Sequence, residues 1–263
     1  MDIATWNING VKARLETALA WLEEASPDVA CLQEIKSEDA PFPRDRFEAL
    51  GYHVETHGQK GFNGVAILSK TPLSDVTRGL PGDDGDEQAR FITAFVEPSA
   101  ESSMPPVRVA CLYLPNGNPL GTEKFPYKLG WMERLIAYAS QCLENEELLV
   151  LAGDYNVIPD TRDLYSEKAW LDDALYQSES RGALRRLEAL GFTDALRAVS
   201  DDQHFTFWDY QAGAWQKNHG IRIDHLMLSP QLADKLTCVR VDDHVRGWEK
   251  PSDHVPVVGQ FAA

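Results

Sequence analysis

Apolar and polar residues change their period repeatedly along this chain. Short runs rich in β-branched residues, bounded by Gly, Pro, Asp or Asn, predict strands over residues 2–7, 29–33, 64–68, 91–96, 107–114, 148–153, 223–228 and 255–261. Between some of these the spacing turns helical. Over 11–25, Leu15, Ala18, Leu19 and Leu22 fall on one face, and Pro27 follows the end. Over 128–143, Trp131, Leu135, Ala139 and Cys142 or Leu143 recur at helical spacing, and a third helix over 181–190 stops at Gly191. Strands with intermittent helices predict an α/β fold with two packed sheets and helices outside. The stretch 100–106 is the most linker-like, but it separates two strands that read as a pair. It is therefore a hairpin loop, and a single domain over 1–263 is expected.

Composition narrows the class. With 43% hydrophobic and 10% aromatic residues the chain can fill a sizeable core. No apolar run approaches the ~20 residues of a membrane span, and the start lacks the basic flank and apolar stretch of a signal peptide. Cys31, Cys111, Cys142 and Cys238 never form a C-x-x-C pair and read as reduced thiols, mostly buried. A cytoplasmic monomer without membrane contact is expected. The net charge of −16, from 25 basic and 41 acidic residues, argues against nucleic acid if taken alone. Local clusters decide binding, however, and the acidic runs at 83–87, 144–147 and 172–173 read as solvated loops or helix ends.

Candidate chemistry collects where apolar strands stop, as in α/β folds generally. Asn7, in Trp6-Asn7-Ile8-Asn9-Gly10, offers an amide oxygen to a hard cation or simply makes a turn. Glu34 ends the second strand as a magnesium-type carboxylate or an ordinary exposed one. Tyr113 and Asn116 end a third; the phenol can bond a phosphate oxygen, move a proton if its pKa is lowered, or only pack. Gly153-Asp154-Tyr155-Asn156 reads as an extended segment with Asp154 and Asn156 pointing the same way, or as an Asx-turn. His254 is the obvious proton donor or phosphate ligand; Asp224 can fix its tautomer, and Asp253 adds a second carboxylate. Singly each group keeps its bland reading; as a set at strand ends they point to a metal-dependent phosphodiesterase.

Together these strings resemble the exonuclease III family of abasic-site endonucleases, within the endonuclease/exonuclease/phosphatase superfamily. WNING at 6–10, LQEIK at 32–36, GFNGVAILS at 61–69, YLPNG at 113–117, GDYNV at 153–157, FTFWDY at 205–210, GIRIDHLMLS at 220–229 and WEKPSDHVPV at 248–257 occur in the family's order. The resemblance implies a four-layer α/β sandwich, two mixed β-sheets face to face with helices outside. It implies Mg²⁺, with Mn²⁺ able to substitute, held by Glu34 with Asn7 and Asp253 close by. Asp154, held by Asn156, would orient or activate water; His254, supported by Asp224, would contact the scissile phosphate with Tyr113 and Asn116.

The implied substrate is double-stranded DNA with abasic or damaged 3′ ends, cut 5′ to the lesion to leave a 3′-hydroxyl. Phe207, Trp208, Ile221 and Ile223 match the family's lesion pocket or simply pack in the core, Ile221 replacing an aromatic of some members. Phe62 matches a groove-contacting aromatic; Lys36 and Arg222, with Lys12, Lys60 and Lys217, lie beside the motifs, as a local basic rim or simply as solvated surface charges. Asn118, Pro119 and Gln211 stand where some relatives carry duplex-penetrating side chains. Phosphatases of inositol phosphates, sphingomyelin hydrolases and a catalytically dead binding module are the alternatives.

Overall fold

The computed structural model describes residues 1–99 and 104–262. Its first half runs β1 (Asp2–Asn7), α1 (Val11–Ala25), β2 (Val29–Gln33), α2 (Arg44–Glu48), β3 (His53–His57), β4 (Val65–Ser69), β5 (Leu73–Arg78), β6 (Phe91–Val96) and β7 (Val107–Tyr113). Next come α3 (Lys124–Glu144), β8 (Leu149–Asp154), α4 (Ser178–Ala189), β9 (Thr193–Asp194) and α5 (Ala195–Val199). The chain closes through β10 (Asp224–Leu228), α6 (Pro230–Ala233), β11 (Leu236–Val241) and β12 (Val257–Phe261).

Two mixed six-stranded sheets form, ordered β11-β12-β1-β2-β4-β3 and β5-β6-β7-β8-β10-β9. Strand alternation explains the layers. Ile3, Val29, Cys31 and Ile67 of one sheet meet Val109, Cys111, Val150, Ala152 and Leu226 of the other in one central core. The residues between them point outward: Ala4, Trp6, Ala30 and Leu32 pack under α1, while Ala110, Leu112, Leu149 and Leu151 pack under α3 and α4. Strands covered on both faces read as unbroken apolar runs. That is why the eight interior strands were legible in the sequence.

The four strands without a sequence signal are β3, β5, β9 and β11, and these are the four sheet edges. Edges face water and carry polar residues, as in Leu73-Ser74-Asp75-Val76-Thr77-Arg78. Helix α3 starts four residues before the periodic run, because Pro126 lies in its first turn, where no N–H is needed. The last strand starts at Val257 rather than at 255, since Pro256 has no N–H for the ladder. The 100–106 stretch does link an antiparallel pair, β6 and β7, although residues 100–103 lie outside the described residues. Cys31, Cys111 and Cys142 are buried, Cys238 is exposed, and all four are free thiols. No described helix is long and apolar enough to cross a membrane.

Candidate active site

Three strand pairings aim the functional residues at one end of the sandwich. Parallel β1 and β2 end together at Asn7 and Gln33, and the chain turns at Glu34. Parallel β7 and β8 place Tyr113 beside Asp154, and antiparallel β10 sets Asp224 opposite Asp154. Gly153 makes this closeness possible. A Cβ there would stand 2.0 Å from the Leu112 carbonyl oxygen.

The polar side chains form one connected cluster. Asn7 Nδ2 donates to Glu34 Oε1 at 3.0 Å and to Asp154 Oδ2 at 2.9 Å. His254 Nδ1 lies 2.9 Å from Asp224 Oδ2, and its Nε2 faces Asp154 Oδ2 at 3.8 Å. Asp154, Asp224 and His254 are all buried, with ligand-capable atoms within 4.8 Å of one another. Tyr113 is hydrogen-bonded to Glu34, and the Arg90 guanidinium stands 4.8 Å above its ring. Phe207 packs edge-on against the His254 ring at 4.9 Å.

The electrostatics follow from several acids and few bases in little water. Burial alone would lower the His254 pKa, but the charges of Asp224 and Asp154 outweigh it and raise it to about 10. Burial raises Asp154 to about 7, with Asp224 adding to the rise and His254 opposing it. The two groups therefore titrate as a coupled set. Burial would also raise Glu34, yet hydrogen bonds from Asn7 and Lys36 hold it below the usual carboxylate value.

Several expectations from the sequence need correction. Asn7 does not present its amide oxygen: Oδ1 accepts the Asn9 N–H at 3.0 Å, so the NH₂ bridges the carboxylates. Asn156 is not in an extended segment. Its φ is 47°, and its N–H closes an Asx-turn on Asp154 Oδ1 at 2.9 Å. Burial, with Glu34 and Asp154 beside it, pushes the Tyr113 pKa well above 10, so it stays a phenol and donates. Asp253 Oδ1 accepts from Asn9 Nδ2 at 3.0 Å, and Asn9 in turn bonds Lys36. Lys36 reaches Glu34 Oε2 at 2.9 Å and so belongs to the carboxylate cluster itself.

The expected DNA face divides. Phe62 is 73% exposed, as a contact residue should be. Arg222 is 1% exposed and paired with Asp163 and Asp194, so it cannot touch DNA. Trp208 is core, with Nε1 donating to Asn218 and its ring against Trp215. Ile221 and Ile223 are buried beneath Leu164, Leu175 and Tyr176, with Phe207 at the cluster's edge. Asn118 is held by Asp173 and by the Ala174 N–H.

Other participants carried no separate sequence signal. Ser252 Oγ donates to Asn7 O at 2.7 Å and accepts the His254 N–H, tying the two motifs together. Thr206 Oγ1 accepts the N–H groups of Ile223 and Asp224, fixing the turn into β10. Both lie inside matched strings and could have been singled out there. Arg90 and Lys128 could not, because nothing around them in the sequence marks a site.

The donor chemistry suits a hard divalent cation, which favours carboxylate and amide oxygens. Asp224 is committed to His254, and a protonated imidazole offers no lone pair. That leaves Glu34, Asp154 and Asp253, the last with only Oδ1 engaged among the described residues, as the carboxylates able to serve it. A two-sheet α/β scaffold with buried carboxylates and a carboxylate-held histidine at its strand ends defines a hydrolytic phosphoester enzyme.

The chain belongs to the endonuclease/exonuclease/phosphatase family, whose pattern matches residues 4–254. It is 35% identical to exodeoxyribonuclease III of Haemophilus influenzae, over 99% of this chain and 100% of that protein. An AP endonuclease from Archaeoglobus fulgidus superposes with a TM-score of 0.91 at 36% identity, each chain covered in full. The 3′ phosphatase NExo from Neisseria, bound to product DNA hairpin, superposes at 0.94 with 37% identity and the same coverage. These relatives put the chain among hydrolytic nucleases.

Proposed function

We propose that residues 1–263 form one catalytic unit, a Mg²⁺-dependent DNA repair phosphodiesterase. Its substrate is duplex DNA, cut 5′ to abasic sites to leave a 3′-hydroxyl, with removal of blocking groups or nucleotides from 3′ ends. The observation that carries this reading is the single cluster joining Asn7, Glu34, Asp154, Asp224 and His254.

The residues divide the work. Asp154, raised to about 7, can accept a proton from water near neutral pH while the Asn156 N–H fixes its other oxygen. His254 keeps Nδ1–H on Asp224, leaving a charged Nε2–H for a non-bridging phosphate oxygen. Asn116, through its second Nδ2 hydrogen, and Tyr113, once its single O–H turns from Glu34, donate to the same phosphate. Water attacks phosphorus and gives a proton to Asp154, the bond from phosphorus to the departing O3′ breaks, and that oxygen takes a proton from solvent to leave as the 3′-hydroxyl. Glu34, with Asp253 close by, would hold Mg²⁺, which supplies charge neutralisation at the phosphate when bound.

A second reading concerns which substrate is preferred. Ile221 and Ile223 are 0% and 2% exposed, so a flipped deoxyribose meets a closed apolar cluster. Terminal 3′ groups need no such pocket, which favours them over internal abasic sites. NExo's description as a 3′ phosphatase agrees with this order.

Both readings are checked with one duplex set, carrying a reduced abasic analogue, a 3′-phosphate or an intact backbone, assayed with Mg²⁺ or EDTA. Metal-dependent cutting at nanomolar enzyme is expected on the first two. No cutting of either would dismiss the nuclease reading. Faster internal incision than 3′-phosphate removal would dismiss the terminal preference.

A further inference from the structure

Lys128 is 0% exposed, yet no carboxylate lies within ion-pair distance of it among the described residues. Its ammonium instead donates to two main-chain carbonyls, Asn116 O at 3.1 Å and Asn156 O at 2.5 Å. Burying an uncompensated charge is costly, and neutral donors cap carbonyls more cheaply. Burial pulls the amine down to about 7, with Asp154 and Asp173 acting in the opposite direction.

The carbonyls it joins belong to the turns that end β7 and β8. Their side chains also meet: Asn116 Nδ2 donates to Asn156 Oδ1 at 3.1 Å, and Asn156 Nδ2 donates to Leu114 O at 2.9 Å. Asn156 sits at φ 47°, and its N–H holds Asp154 Oδ1. Gly117, at φ 90°, wraps the lysine stem; a Cβ there would stand 2.7 Å from Lys128 Cδ. One ammonium therefore fixes both turns from beneath, one bearing an expected phosphate donor and the other the aspartate's clamp.

We infer that Lys128 is a positioning residue for hydrolysis, setting the aim of Asp154 and Asn116 through the main chain of Asn156 and Asn116. This rests on the nuclease reading above. Small misplacements of reacting groups cost up to roughly a hundredfold in rate. Lys128→Met keeps the stem and removes the charge.

The experiment is steady-state kinetics of wild type and Lys128→Met on the preferred duplex with saturating Mg²⁺, with thermal unfolding alongside. Expected are a kcat roughly 10- to 100-fold lower, KM within about threefold, and an unfolding temperature no more than a few degrees lower. Hydrogen exchange should quicken at residues 114–118 and 154–158 and stay unchanged in the edge strands. A kcat within twofold of wild type overturns the inference. So does a loss confined to unfolding temperature or KM. If Lys128→Met does not fold, Lys128→Gln is measured by the same criteria; failure of both to fold makes the ammonium a folding requirement and also overturns it. An inactive wild type sinks the nuclease reading and this inference together, whereas an active wild type matched by the variant sinks this inference alone.

Discussion

Two buried clusters of charge grow from one turn and the start of β10, with opposite outcomes. In Gly-Ile-Arg-Ile-Asp-His at 220–225, Arg222 and His225 point one way and Asp224 the other. Arg222 Nε meets Asp163 at 2.6 Å, its Nη1 meets Asp194 at 2.7 Å, and Arg197 adds a second cation to Asp163. Acid and base balance there. Burial would raise Asp194, but Arg222 and His225 hold it below its usual value. On the other side Glu34, Asp154 and Asp224 share His254 and Lys36, and Asp154 is driven up. Burial is common to both clusters, so it does not mark the site. The mark is a deficit of positive charge, which a cation or a proton must fill.

This difference can be broken from either side. Asp154→Asn should lower kcat by roughly a thousandfold or more, about 4 kcal/mol, and His254→Ala should do nearly the same. In metal-free buffer Asp154→Asn should unfold no earlier than wild type, because one of several crowded carboxylates has been neutralised. Single-turnover kinetics and calorimetry read both effects; activity near wild type would remove Asp154 from the chemistry.

Arg222→Met should invert the pattern. Leaving Asp163 and Asp194 buried without their partner costs about 3–5 kcal/mol, on the order of 10 °C in unfolding temperature. The folded fraction should keep kcat within a few-fold. A large kcat loss with unchanged stability would mean that Arg222 acts on substrate after all.

The two histidines sharpen the contrast through pH. Burial and the adjacent Arg222 pull His225 from 6.5 down to about 4. The unfolded chain then takes up a proton before the folded one as pH falls. The stabilisation from a neutral His225 is thus complete above about 6.5 and lost between there and about 4, a term of roughly 3 kcal/mol. Urea unfolding at pH 7 and pH 4.5 should show a larger acid loss in wild type than in His225→Gln. Equal losses would place the sensitivity elsewhere.

The smallest effect concerns the DNA face. With Arg222 buried and Lys36 drawn to Glu34, few free cations remain to neutralise phosphates. The slope of log affinity against log salt should be shallow, no steeper than about −3. A steeper slope would reveal phosphate contacts beyond this set.

What the sequence disclosed, and what it withheld, follows the same physics. Interior strands were readable because both faces are apolar; β3, β5, β9 and β11 were not, because edges face water. Glu34, Asp154, Asp224 and His254 were readable because each closes an apolar strand or sits in a matched string. The environment of each was not. Glu34 and Lys36 both take φ 50°, a conformation those residue types rarely adopt, and this turn brings the amine onto the carboxylate. The burial of Arg222 is hidden in the sequence because its partners Asp163 and Asp194 lie 59 and 28 residues away. Lys128 is hidden for a related reason: its partners are carbonyls, which every residue has.

The cation deficit itself is tested most directly by Mn²⁺ binding, followed by electron paramagnetic resonance on wild type and Glu34→Ala with unfolding temperature as the control. A carboxylate-rich site lacking positive charge predicts saturable binding in wild type, weakened at least about tenfold in a Glu34→Ala protein that remains folded. Undiminished Mn²⁺ binding by folded Glu34→Ala would contradict it.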